Sequence, residues 1–91
     1  MYVRRPTRTF KKSLRKIADS GNNNILKEIK EIIKKIALGE RLSERYKDHK
    51  LSGKLEHCRE CHIRPDLLLI YHIDQDDLVL VDIGSHSELF G

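Results

Sequence analysis

Between Asn24 and Ala37 the residues Ile25, Leu26, Ile29, Ile32, Ile33 and Ile36 recur at helical spacing, with Lys27, Lys30, Glu31, Lys34 and Lys35 on the turns between them. A stripe of that period specifies an amphipathic helix with one face to bury. A weaker copy precedes it. Thr7 is placed to N-cap a helix carrying Phe10, Leu14, Ile17 and Ala18 on one side. Gly21 and Gly39 close the two helices, since glycine accepts the left-handed cap conformation. Asn22–Asn24 leave so little chain between them that an antiparallel helical hairpin is expected.

Two apolar faces need a layer to rest on, and the second half of the chain supplies strands. Leu55–Ile63, Leu67–Ile73 and Leu78–Ile83 read as three strands, with turns at Arg64-Pro65-Asp66 and Asp74–Asp77. The run Leu-Leu-Leu-Ile-Tyr over residues 67–71 is apolar on both sides of its alternation, which marks a central strand. A short strand near Tyr2–Arg4 leads into the hairpin and is stopped by Pro6. Residues 40–53 are polar and aperiodic and are expected to form a long loop. The fold class is α+β: an N-terminal strand, then the hairpin packed on one face of an antiparallel sheet. No repeat or Gly/Pro linker divides residues 1–91, so one domain is expected.

With 35% charged residues, 38% hydrophobic residues and no tryptophan, the core is thin under a charged surface. Charge is divided along the chain: 15 Lys/Arg against 6 Asp/Glu in residues 1–50, and 3 against 8 in residues 51–91. A basic half on a small domain points to a polyanionic partner, nucleic acid first. No apolar run approaches the roughly 20 residues that a membrane helix needs. The basic start lacks the apolar segment of a signal peptide. Two cysteines without an export signal imply reduced thiols and a cytoplasmic location.

The densest chemistry lies just before the apolar strand. Cys58-Arg59-Glu60-Cys61-His62 spells the C-x-x-C-H haem-attachment pattern. Haem is disfavoured because the motif falls in an expected strand, where residues three apart face opposite sides. Zinc is also disfavoured, because no second Cys or His pair completes a tetrahedral set. Cys61 is expected to be a buried small residue. His49 in the loop, His62 in a strand, Asp66 in the turn and His86 at the C-terminal turn can converge instead. Imidazoles with a carboxylate suit acid–base chemistry near neutral pH. RNA cleavage needs such a base and acid, with cations for the phosphate, and Lys50, Lys54, Arg59 and Arg64 are the candidates. His57 and His72 are expected to be structural. Ser85 and Glu88 form a capping box that would set His86 at the start of one helical turn, where backbone N–H groups attract an anion.

Asp48-His49-x-Leu51-x-Gly53, Arg59-Glu60-Cys61-His62-Ile63-x-Pro65-Asp66, Leu69-Ile70-Tyr71 and Gly84-Ser85-His86-Ser87-Glu88-Leu89-Phe90 together resemble the YafQ branch of RelE-type toxins. The resemblance implies a β-α-α-β-β-β fold and the toxin role in a type II toxin–antitoxin system. It implies a metal-independent mRNA endoribonuclease without a cofactor, acting in the ribosomal A site and restrained by a cognate antitoxin. It assigns His49, His62, Asp66 and His86 to the active site and Phe90 to the substrate. Two positions depart from the family pattern. Leu67 stands where an aromatic is common after Pro-Asp, and Asp82 stands where an arginine commonly precedes Gly-Ser-His. Asp82 would repel phosphate, which keeps open a non-cleaving toxin that inhibits the ribosome or gyrase.

Overall fold

The stripe forms its helix. In a computed structural model describing residues 1–91, α1 spans Arg8–Asp19 and α2 spans Asn23–Ala37. Thr7 Oγ1 accepts from the Phe10 N–H and Asn22 Oδ1 from the Ile25 N–H. Each cap satisfies a donor that a helix start leaves unpaired. Ile29, Ile32, Ile33, Ile36 and Ala37 are buried with Phe10 against Cys61, Ile63, Leu69, Tyr71, Leu78, Leu80 and Ile83. A fully buried large aliphatic side chain contributes roughly 1.5–3 kcal/mol. The four isoleucines are therefore large terms beside the ~5–15 kcal/mol net stability of a typical domain.

The sheet comprises β1 Val3–Pro6, β2 His49–Lys50, β3 Arg59–Arg64, β4 Leu67–Asp74 and β5 Asp77–Gly84, in the order β1-β5-β4-β3-β2. The apolar run is central, as its composition requires. Three details differ from the sequence expectation. The sheet is mixed, because β1 lies parallel to β5 while all other pairs are antiparallel. The chain between β1 and the rest of the sheet contains both helices, the kind of long connection that allows parallel pairing. The second departure is that the strand expected from Leu55 begins only at Arg59. Gly53–Leu55 forms a 3-10 turn, and the Cys58 N–H donates to Leu55 O.

Thirdly, the polar stretch is structured: Glu44–Tyr46 makes a 3-10 turn and His49–Lys50 adds an edge strand to β3. Its anchor is Asp48. The Tyr71 hydroxyl donates to both Asp48 oxygens, at 2.9 and 2.8 Å, and Arg59 Nε reaches the same carboxylate at 3.1 Å. Burial first, then the hydrogen bond to Asp48 and its charge, raises the Tyr71 phenol above its ordinary pKa. It therefore remains a donor.

Alternation along the strands separates two kinds of surface. Cys61, Ile63, Leu69 and Tyr71 belong to the core cluster with the helices. Glu60 pairs with Ile70 and His62 with Leu68, in alternation with those residues and so on the opposite face. His49 pairs with Glu60 and joins that face.

Candidate active site

His62 comes from the middle of β3, His49 from the neighbouring edge strand, and His86 from α3, His86–Phe90, directly after β5. The His49 and His62 ring centroids are 6.2 Å apart, and those of His62 and His86 are 5.7 Å apart. Three rings that are distant in sequence form one row. Asp66, in the β3–β4 turn, closes its far end. The His86 backbone N–H and Nδ1 both meet Asp66 Oδ1, at 3.0 and 2.9 Å. The backbone N–H and then the imidazole hold the Asp66 carboxyl below its ordinary pKa. An ionised carboxylate only accepts. His86 therefore donates through Nδ1 and leaves Nε2 for another partner. The anion expected at the start of this turn is the protein's own Asp66.

Local sequence fixes α3. Ser85 Oγ accepts from Glu88 N–H while Glu88 returns to the Ser85 N–H, completing the capping box. A Cβ on Gly84 would stand 3.0 Å from Glu88 Oε1. Glycine before Ser85 leaves room for that return.

Glu60 was not assigned a role from the sequence. It is 5% exposed, the only charged residue in the buried set. Its Oε1 lies 3.0 Å from His62 Nε2 and 3.8 Å from His49 Nε2. A buried carboxylate requires a compensating partner, and His62 provides the hydrogen bond, with His49 beyond bonding distance. One signal for Glu60 was available: residues two apart on a strand share a face, so Glu60 had to accompany His62. Its approach to His49 was not legible, because β2 reads as loop. His49 is further fixed by Nδ1 on Lys47 O at 2.6 Å. A carbonyl can only accept, so His49 donates there and turns Nε2 toward Glu60. Glu60, His62 and His86 offer ligand atoms all within 4.8 Å of one another, a set that can hold a metal ion.

The cationic candidates are less concentrated. Arg59 is engaged by Asp48, and Arg64 by Glu28 through two bonds of 3.1 and 2.9 Å. Lys50 and Lys54 are exposed. Phe90, 48% exposed, ends α3 with its ring available to solvent. Asp82 is not among the groups touching the histidines. Its Oδ1 accepts from Ser13 Oγ at 2.7 Å and from the Ile83 N–H at 2.8 Å. It lines a cleft of about 540 Å³ between α1 and α3. Both cysteines are buried free thiols. Burial, then the Asp48 and Glu60 charges, pushes the Cys61 thiol up to about 12. Burial also raises Cys58. Neither supplies a thiolate at neutral pH.

A family model described as the bacterial toxin of type II toxin–antitoxin systems, YafQ, matches residues 2–91. The mRNA interferase toxin YafQ of Escherichia coli K12 is 41% identical over 46 residues, which is 50% of each chain. In these alignments the chain spans about half the length of the curated relatives it matches. A metal-bound toxin from Helicobacter pylori superposes with a TM-score of 0.90 at 40% identity, covering 99% of this chain and 100% of that one. YafQ in the E. coli DinJ–YafQ complex superposes with a TM-score of 0.85 at 27% identity, with full coverage of both chains. No helix is long and apolar enough to cross a membrane.

Proposed function

The chain belongs to the YafQ family of bacterial type II toxins, and from that membership we propose that it is a ribosome-dependent mRNA endoribonuclease held inactive by a cognate antitoxin. The observation that carries the proposal is the His49–His62–His86 row with a carboxylate at each of two rings. The relatives named as mRNA interferases and the DinJ–YafQ complex support the substrate and the partner. Residues 1–91 act as a single toxin domain, and the site of action is the cytoplasm.

His49, His62, Asp66 and His86 do the chemistry. A neutral ring, His49 or His62, takes the proton of an RNA 2′-hydroxyl. The 2′-oxygen attacks the adjacent phosphorus, the P–O5′ bond breaks, and His86 gives a proton to the departing 5′-oxygen. The products are a 2′,3′-cyclic phosphate and a 5′-hydroxyl. Asp66 keeps the His86 Nδ1 occupied, so the proton moves on Nε2. Glu60 orients His62 in the same way. No step requires a cofactor. In this chemistry a metal bound at Glu60, His62 and His86 would occupy nitrogens needed for proton transfer. The site is open and its rings are partly exposed, so positioning of the mRNA falls to the ribosomal A site. The exposed Phe90, on the same short helix as His86, and the exposed Lys50 and Lys54 are the proposed RNA contacts.

Primer extension on translated mRNA after induction tests the proposal. Discrete new 5′ ends are expected; stalled translation without them would identify a non-cleaving toxin.

A further inference from the structure

β2 covers only Arg59 and Glu60 of β3. Beyond its end no strand pairs with His62–Arg64; the Glu44–Tyr46 turn packs against β3 instead, and the pairing with β4 on the other side shifts register between His62 and Arg64. A cleft of about 450 Å³ opens there, lined by Glu28, Arg45, Tyr46, Lys47, His62 and Arg64 among others. That volume lies in the range of small-ligand sites, and His62 connects the cleft to the histidine row.

Arg45 stacks on its neighbour, with the guanidinium carbon 4.7 Å from the Tyr46 ring centroid, and it donates to the Tyr46 hydroxyl at 2.6 Å. A guanidinium plane laid on an aromatic ring is a platform for a nucleobase. Arg64 provides a planar fork for phosphate, and Lys47 adds a point charge. The fork is closed by Glu28, the one carboxylate lining the cleft. Glu28 and Arg64 are both partly exposed, at 43% and 42% of their side-chain surfaces. The pair is bidentate, so Glu28 holds the Arg64 guanidinium as a preformed fork, and a phosphate offers the same two-oxygen geometry. A phosphate can therefore replace Glu28 on Arg64, with release of the glutamate to water.

We propose that this cleft is a second RNA subsite, in which Arg64 and Lys47 bind the phosphate of a nucleotide flanking the cleavage point, Arg45 and Tyr46 stack its base, and Glu28 competes with that phosphate. The proposal rests on the endoribonuclease assignment for the identity of the ligand. The physical site does not require cleavage, so its test does not use it.

The probe is a fluorescein-labelled, mixed-sequence 2′-O-methyl hexaribonucleotide, which lacks the attacking hydroxyl and cannot be cut. Its affinity for the full chain is read by anisotropy at low salt, where phosphate contacts are largest. Arg64→Ala and Arg45→Ala are expected to weaken binding about three- to tenfold, while Lys35→Ala, which removes the same charge outside the cleft, changes it less than twofold. Glu28→Gln is the decisive variant, because it removes the competitor without removing any contact to RNA. It should tighten binding several-fold, with circular dichroism matching the parent. Equal effects of Arg45→Ala and Lys35→Ala, or unchanged binding by Glu28→Gln, would overturn the subsite. RNA binding as expected without new 5′ ends in cells would leave the subsite standing and remove the endonuclease. New ends with an unresponsive Glu28→Gln would do the reverse.

Discussion

Histidines meet in two places on this small protein, the His57–His72 pair and the row containing the His62–His86 pair, and only the row has the surroundings of a reactive site. His57 and His72 approach edge to face with ring centroids 5.1 Å apart, closer than the 5.7 Å between His62 and His86. Proximity is therefore not the difference. The second pair has Asp66 on one ring and Glu60 on the other, at 2.9 and 3.0 Å, whereas no carboxylate bonds to His57 or His72. A carboxylate fixes which ring nitrogen carries hydrogen and stabilises the cation formed during transfer. Without it a histidine pair is two surface rings in contact.

The largest effect that would sharpen this contrast comes from His86→Ala. Removing a general acid is expected to slow cleavage of translated mRNA by about 10²–10⁴-fold. The ring is exposed and ends in solvent, so thermal stability should change little. Wild-type cleavage rates in the variant would remove His86 from the reaction.

Asp66→Asn tests the carboxylate while leaving both rings in place. The asparagine can donate as well as accept, so it no longer forces His86 to present Nε2. A loss on the order of tenfold to a hundredfold is expected, smaller than for His86→Ala because the ring remains. The pH dependence separates the two roles. The Asp66 pKa is depressed in the folded protein. Its contribution is thus present above the ordinary carboxylate range and is lost only as pH falls through the lowered value. Asp66 stays charged wherever imidazoles titrate. A bell-shaped rate profile between pH 5 and 9 must then come from the rings, and a flat profile would rule out paired histidines.

Much of this contrast was legible in the chain. His49, His62, Asp66 and His86 can be picked out as residue types suited to proton transfer, and they do gather. The α2 stripe and the central strand follow from periodicity, because one buried face imposes its spacing on the sequence. The failures have a common cause. β2, the approach of Glu60 to His49 and the fates of Arg59 and Arg64 depend on contacts between residues 9 to 36 positions apart. A polar stretch such as residues 40–53 carries no periodic signal of its own. What orders it is the Asp48 carboxylate on Tyr71 and Arg59, and side-chain pairing of this kind leaves no repeat to read. Asp82 is a similar case: the sequence alone places a carboxylate that would oppose phosphate, whereas in the fold its Oδ1 accepts from Ser13 Oγ, 69 positions away, and from the Ile83 N–H.

Zinc should divide the two pairs more mildly. Glu60, His62 and His86 present three ligand atoms within 4.8 Å of one another, whereas His57 and His72 offer two rings alone. Three ligands with an open fourth position suit Zn²⁺. Added Zn²⁺ is expected to bind the isolated toxin with a calorimetric stoichiometry near one and to slow cleavage of translated mRNA in a ribosome-containing reaction several-fold, reversibly on chelation. Glu60→Gln should weaken that binding by about tenfold or more, as loss of one ligand does. Zinc binding that survives Glu60→Gln unchanged would place the metal elsewhere.

The smallest expected effect is the one that most directly tests the contrast. His57→Gln and His72→Gln remove rings that touch each other but no carboxylate. His57 is exposed and His72 partly so, and neither belongs to the core cluster. Substitutions on such surfaces usually fall within about 0.5 kcal/mol, and an edge-to-face ring contact contributes about 0.5–1.5 kcal/mol. The double variant should therefore cut translated mRNA within about twofold of wild type and melt within a few degrees of it. If it instead lost activity as His86→Ala is expected to, without losing stability, ring proximity alone would be sufficient for function. The carboxylates would then be scaffolding for α3 and β2, and the row of rings would have to be extended across the sheet to His72.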